Sequence, residues 1–170
     1  MARTETPASL GTVVVVGGCG FLGHHIVNYI VKRYPQTQVA VVDLRTNANR
    51  NASLTVSYHG GDITDLNAMR AMFSRIKPDA LIHTATPDVF GGKHEVFDKV
   101  NVTGTKNLVK AAQESGVKAF VYTSSASVVL DAKAELINAD ERWPIVAGPA
   151  QPEYYTTTKV RSFMSGSEHG

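Results

Sequence analysis

The chain has 170 residues, 43% of them hydrophobic, with 14 glycines and 7 prolines. That is the composition of one packed domain; it leaves no room for two and shows no collagen-like or low-complexity bias. Seventeen Lys and Arg against 15 Asp and Glu give a net charge of +2 without clustering, which argues against a nucleic-acid partner. One cysteine cannot form an internal disulfide, and the apolar runs fall far short of the roughly 20 residues a membrane helix needs, so a cytoplasmic chain with no transmembrane segment is expected.

Residues 1–10 form a polar leader expected to be flexible. Thr12 to Val16 (TVVVV) is an uninterrupted β-branched run, as expected of a central parallel strand buried on both faces. Glycines follow, and from Phe21 to Arg33 the apolar Phe21, Leu22, Ile26, Val27, Ile30 and Val31 recur at helical spacing. Gln38 to Val42 is a second strand ending at Asp43, and Leu54 to Tyr58 a weaker third. Asp65 to Ile76 returns to helix, with Asp65 able to cap its start and Pro78 beyond its end. Asp79 to His83 is a fourth strand. A long helix runs from about Phe97 to Gln113 and stops at Gly116. Lys118 to Thr123 is a fifth strand with Ser124 and Ser125 at its end. From Ala126 to Pro152 only a helical turn around Asp140 to Arg142 is expected, and a last helix starts near Glu153.

Strand and helix in alternation predict a Rossmann-type doubly wound α/β domain over residues 11–163, with a parallel sheet in the order 3-2-1-4-5 and its ligand beyond the carboxyl ends of the strands. Residues 164–170 are expected to be a disordered tail.

The chemistry follows that frame. Gly17, Gly20 and Gly23, with Phe21 and Leu22, make a turn whose backbone N–H groups can approach a pyrophosphate at a helix N-terminus. Asp43 stands where a carboxylate accepts from the adenosine ribose, which favours NAD, while Arg45 two residues on leaves NADP open. Asp62 and Ile63 lie within reach of an adenine, although Asp62 serves equally well as a turn or capping residue. His83 to Thr86 ends the fourth strand at the crevice, where small residues such as Ala85 allow close approach; His83 reads as core, and no metal site is expected. Tyr155 and Lys159 share a helix face, and an ammonium beside a phenol stabilises phenolate, which makes Tyr155 a general base. Ser125 can donate to the substrate oxygen. Cys19, Met69 and Met72 read as packing residues.

These residues resemble the extended short-chain dehydrogenases, and within them the 3-beta-hydroxysteroid dehydrogenase family. The likeness lies in GTVVVVGGCGFLGHHIV, YHGGDITD, IKPDALIHTATP, KVNVTGTKNLVKAAQESGVKAFVYTSSASVV, LINADERWP and QPEYYTTTK, and covers nearly all of residues 10–160. It implies Gly17, Gly20, Gly23 and Asp43 for the cofactor, Ser125 and Tyr155 for a substrate hydroxyl, Lys159 for Tyr155 and the nicotinamide ribose, and Asn101 as an internal structural asparagine. The implied reaction oxidises the 3β-hydroxyl of a steroid or sterol with NAD(P), without a metal; a 4α-carboxylate then becomes a β-keto acid that loses CO₂. Full-length relatives are expected at the endoplasmic reticulum membrane surface. Such enzymes are longer, so the resemblance also implies a truncated chain with its substrate domain absent, inactive alone, and an exposed fifth-strand edge open to association. The alternatives are a catalytically dead NAD-binding fragment and a sugar-nucleotide epimerase or reductase of the same class.

Overall fold

The structure is a computed structural model that describes residues 9–88, 93–131, 137–140, 142–148, 151 and 153–167. Residues 1–8 of the expected leader, 168–170 of the expected tail and Glu141 of the expected turn lie outside the described residues.

Five strands, β1 (Thr12–Val16), β2 (Gln38–Asp43), β3 (Val56–Gly60), β4 (Ala80–His83) and β5 (Ala119–Tyr122), form one sheet in the order β3-β2-β1-β4-β5. Every pairing is parallel, with Val14 of β1 standing between Ala40 and Leu81. This is the doubly wound order expected from the sequence. The uninterrupted valines of β1 serve both faces at once, because successive side chains alternate across a sheet. Val13 and Val15 pack with Val39 and Val41 against Val27 and Ile30 of helix α1 (Phe21–Arg33). Val14 and Val16 pack with Leu81 against Met69, Met72 and Phe73 of α2 (Leu66–Ile76) and Leu108 and Ala111 of α4 (Thr105–Ser115).

Helix ends fall where cap chemistry puts them. Asp65 accepts from the Ala68 N–H at 3.0 Å and starts α2. Gly116 ends α4 in the left-handed region, at φ +77°. Between α2 and α4 the Arg70 guanidinium binds the Glu114 carboxylate through two hydrogen bonds, at 2.6 and 2.7 Å. At the start of the sheet, Asp79 accepts from the Thr12 N–H at 2.9 Å and from Lys118 at 2.7 Å.

Four elements differ from the sequence reading. The third strand begins at Val56 rather than Leu54, because a turn closed by Asn51 Oδ1 and Ser53 Oγ occupies residues 51–55 and leaves Leu54 fully exposed. The long helix begins earlier, as α3 (His94–Phe97), and passes through a π-helical stretch, Asp98–Gly104, before α4. That wider turn carries the buried Asn101, which accepts from the Thr86 hydroxyl and donates to Thr158. In the long connection Ser125 caps a 3₁₀ turn, Ala126–Val129.

The last helix, α5 (Tyr154–Ser167), continues past residue 163. It docks on α3 and the π-helical stretch: the Tyr154 ring stacks on His94 at 3.9 Å between centroids, and Asp98 accepts from the Tyr154 hydroxyl and from Arg161.

Leu81, in the central layer and wholly buried, tests this packing. Leu81→Ala is expected to lower unfolding free energy by about 3 kcal/mol, read from the urea midpoint of circular dichroism melts.

Candidate functional site

Each strand delivers residues to one cleft at the carboxyl edge of the sheet. Gly17 follows β1, Asp43 ends β2, Asp62 follows β3, Thr84 and Ala85 follow β4, and Thr123 and Ser124 follow β5; all line a cleft of about 1110 Å³. It opens where the sheet order reverses, between β1 and β4. Tyr155 and Lys159 of α5 close its far side.

The three glycines of the turn do different work. Gly17 has φ +80°, and a Cβ there would lie 2.7 Å from the Ala85 nitrogen; at Gly23 it would lie 2.2 Å from the Gly17 carbonyl oxygen. Those two are held against protein. Gly20 meets only the Gly17 oxygen, at 3.2 Å, and otherwise faces open space in the cleft. It is also the N-cap of α1, without a side-chain cap and with no acidic residue in the first turn, so the positive end of that helix is left for a ligand. Phe21, 82% exposed, and Leu22 form the apolar lip beside it.

Asp43 fixes this turn from the second strand. Its Oδ2 accepts from the Cys19 N–H at 3.0 Å and its Oδ1 from the Arg45 N–H at 3.2 Å. The Cys19 carbonyl accepts from Asn49 Nδ2 at 2.8 Å, so the loop after β2 grips the same residue from its other side. Burial, and then the Asp43 charge, push the Cys19 thiol above its ordinary value, consistent with a packing role. Asp62 closes a turn by accepting from the Thr64 N–H at 2.8 Å, while Ile63 is buried behind it. Asp62 therefore serves the turn role the sequence allowed and still lines the cleft.

Lys159 is 2% exposed and donates to the Thr123 carbonyl at 3.0 Å. Its ammonium lies 5.9 Å from the Tyr155 ring centroid and 4.9 Å from that of Tyr122. Burial pushes its pKa down to about 8. Beneath it His83, 1% exposed, bonds Thr105 through Nε2 at 3.1 Å, and burial together with the Lys159 charge lowers it to about 3. His83 is thus a neutral core residue, as read from the sequence.

Ser125 is not brought into the cleft lining. Its hydroxyl lies 2.7 Å from that of Ser127 and accepts from the Ser127 N–H at 3.2 Å, while Thr156 of α5 donates to Ser127 at 3.1 Å. The neighbouring Thr123 and Ser124 form that part of the wall. Sequence reasoning missed Asn49, and it placed Thr84 at the crevice without the role of its hydroxyl, which donates to the Val16 carbonyl at 2.8 Å beneath Gly17. Both act through side-chain bonds to distant backbone, which leave no periodic signal.

The sequence profile of the 3-beta hydroxysteroid dehydrogenase/isomerase family matches residues 14–162. The sterol-4-alpha-carboxylate 3-dehydrogenase, decarboxylating, of Candida albicans is 37% identical over 142 residues, covering 80% of this chain and 40% of that protein. Its Saccharomyces cerevisiae counterpart is 30% identical over 159 residues, covering 90% and 44%. The chain thus spans about two-fifths of the length of these curated relatives. Thermus thermophilus UDP-glucose 4-epimerase in complex with NAD superposes with a TM-score of 0.81 at 26% identity, over 94% of this chain and 50% of that one. Bordetella bronchiseptica WbmG in complex with NAD gives 0.81 at 18% identity, over 98% and 51%, a likeness of fold alone.

The buried ammonium has a consequence for stability. Lys159 titrates near 8 in the fold against an ordinary 10.5, so between those values the unfolded chain binds more protons and stability rises with pH. Burial raises the Cys19 thiol and the Tyr122 phenol, and the Asp98 hydrogen bond raises the Tyr154 phenol, so these groups act in the opposite sense at the alkaline end. The Lys159 contribution should therefore appear in denaturant melts across pH 7.5 to about 10.5 as a difference, the parent gaining stability relative to Lys159→Met as pH rises.

Proposed function

We propose a function on the premise of the family to which this chain belongs, the 3-beta hydroxysteroid dehydrogenase/isomerase family: it forms the NAD-binding part of an enzyme that oxidises the 3β-hydroxyl of a sterol. The observation that carries this reading is the meeting of Gly20, Asp43, Tyr155 and Lys159 in one cleft.

The residues fit a dinucleotide. The uncapped start of α1 and the open face at Gly20 suit a pyrophosphate, Asp43 suits the ribose hydroxyls, and Asp62 with Ile63 suits the adenine end. The Asp43 charge disfavours a 2′-phosphate, so NAD is preferred to NADP. Bound there, the nicotinamide supplies a hydride acceptor. Tyr155 takes the proton of the substrate hydroxyl as its carbon loses hydride and the C=O bond forms. Lys159, held at the Thr123 carbonyl, keeps a positive charge near the Tyr155 ring, and it would hold the nicotinamide ribose when the dinucleotide is bound. Ser125 joins by exchanging its Ser127 partner for the substrate oxygen.

The substrate proposed is a 4α-carboxysterol. Its oxidation makes a β-keto acid, in which the bond to the carboxylate breaks, CO₂ leaves and the electron pair passes into an enolate. The sequence likeness supports this branch: identities are 30–40% to sterol-4-alpha-carboxylate dehydrogenases and 21–27% to the UDP-sugar 4-epimerase structures. Sterol turnover is proposed for the whole protein, at the endoplasmic reticulum membrane surface, and NAD binding for this chain. Among the described residues no helix is long and apolar enough to cross a membrane.

Calorimetry with NAD tests the reading. Gly20→Val should weaken binding by about tenfold or more, since its branched side chain enters the space left for pyrophosphate; unchanged affinity would overturn the assignment. Asp43→Asn keeps an oxygen for the Cys19 N–H and removes the charge, so it should shift preference toward NADP. A parent that already binds NADP more tightly would move the ribose role to Arg45.

A further inference from the structure

The helical run His94–Ser115 touches both ends of the cleft. Near the catalytic helix, Asn101 donates to Thr158 at 2.9 Å, and its carbonyl accepts from Ser162. Further along, Gly104 and Asn107 meet the turn that follows β3. A Cβ on Gly104 would lie 2.6 Å from both Cγ1 and Cδ1 of Ile63. Asn107 Nδ2 donates to the Ile63 carbonyl at 3.0 Å.

We propose that Gly104 and Asn107 are positioning residues for the adenine end of the cofactor site, holding the Asp62–Asp65 turn so that Asp62 selects a base bearing a 6-amino group. This rests on the NAD reading and deepens it. Ile63 lies just ahead of the Asp65 cap, outside the hydrogen-bond ladder of α2. Its carbonyl is part-buried, and a buried acceptor left without a donor is costly, so Asn107 fixes the orientation of the peptide that follows Asp62. The bare Cα of Gly104 sets how closely the Ile63 side chain packs, and any side chain there must displace Ile63, which lines the cleft. Within the turn Asp62 Oδ1 is taken by the Thr64 N–H, which leaves Oδ2 to accept from a ligand. A carboxylate oxygen accepts from the 6-amino group of adenine; at that position hypoxanthine presents a 6-oxo acceptor, its donor being the adjacent N1–H, so a carboxylate held in place is matched to adenine.

The test titrates the full chain with NAD and with nicotinamide hypoxanthine dinucleotide. The parent should prefer NAD. Asn107→Ala should weaken NAD by about tenfold and leave the hypoxanthine analogue nearly unchanged, so that the preference collapses, and Gly104→Ala should act in the same direction. Asp43→Asn, acting at the ribose, should leave the ratio of the two affinities as it is. If either variant fails to fold by circular dichroism, Asn107→Asp, which keeps the size and removes the donor, carries the test. Variants that weaken both ligands in parallel, or keep the parental ratio, would overturn the proposal while leaving the NAD reading intact. A parent that binds NAD but shows no preference would also overturn it. A parent that binds neither ligand would overturn both.

Discussion

The constraint on which the cleft depends is the approach of two backbones at the ends of neighbouring strands. Where β1 ends, Gly17 comes so near Ala85 that no side chain fits between them, and Thr84 ties the two segments by donating to the Val16 carbonyl. The left-handed φ of Gly17 turns the chain away from the sheet, and the turn packs back on itself at Gly23. Once those contacts are made, α1 starts at a set height above the sheet. Its unpaired N–H groups then face the space that the reversal of strand order has opened.

The second strand and its loop hold that turn through one residue. Asp43 and Asn49 grip Cys19 by its N–H and its carbonyl, so ligand-facing backbone is anchored by side chains from another element. The helical run His94–Ser115 does the corresponding service across the cleft, with Asn101 toward α5 and Asn107 toward the turn after β3. A rigid sheet thus supplies position, and a few carboxamides supply orientation. This division suits a site that must keep a long ligand and the Tyr155 and Lys159 side chains in register.

Much of this was legible in the sequence, and the exceptions share a cause. The valines of β1, the period of α1 and the glycines between them report burial on two faces, a helix and a tight turn directly, because each is a local consequence of composition. Asp65 and Gly116 likewise marked helix ends through capping chemistry confined to a few residues. Leu54 misled because its apolar side chain reads as strand, while the turn holding it in solvent is closed by Asn51 and Ser53. The π-helical stretch was invisible because a change in helical pitch over one turn barely alters the spacing of Val100, Leu108 and Ala112. Ser125 could be placed at the end of a strand, but the direction of its hydroxyl depends on the Ser127 amide and on Thr156 from a distant helix. The spacing of Tyr155 and Lys159 put both on one helix face, and both line the cleft; the Thr123 carbonyl that seats the lysine left no signal, since any residue type supplies a carbonyl.

The row of hydroxyls Thr156, Ser127 and Ser125 bears on the proposed chemistry. Either Ser125 or Ser127 can be the donor in their 2.7 Å contact. When Ser127 donates, the Ser125 proton is free for an alkoxide or carbonyl oxygen; when Ser125 donates, its proton is spent on Ser127. Rotation of two O–H bonds, with no movement of heavy atoms, therefore switches Ser125 between a state ready to donate to the proposed substrate oxygen and one that is not.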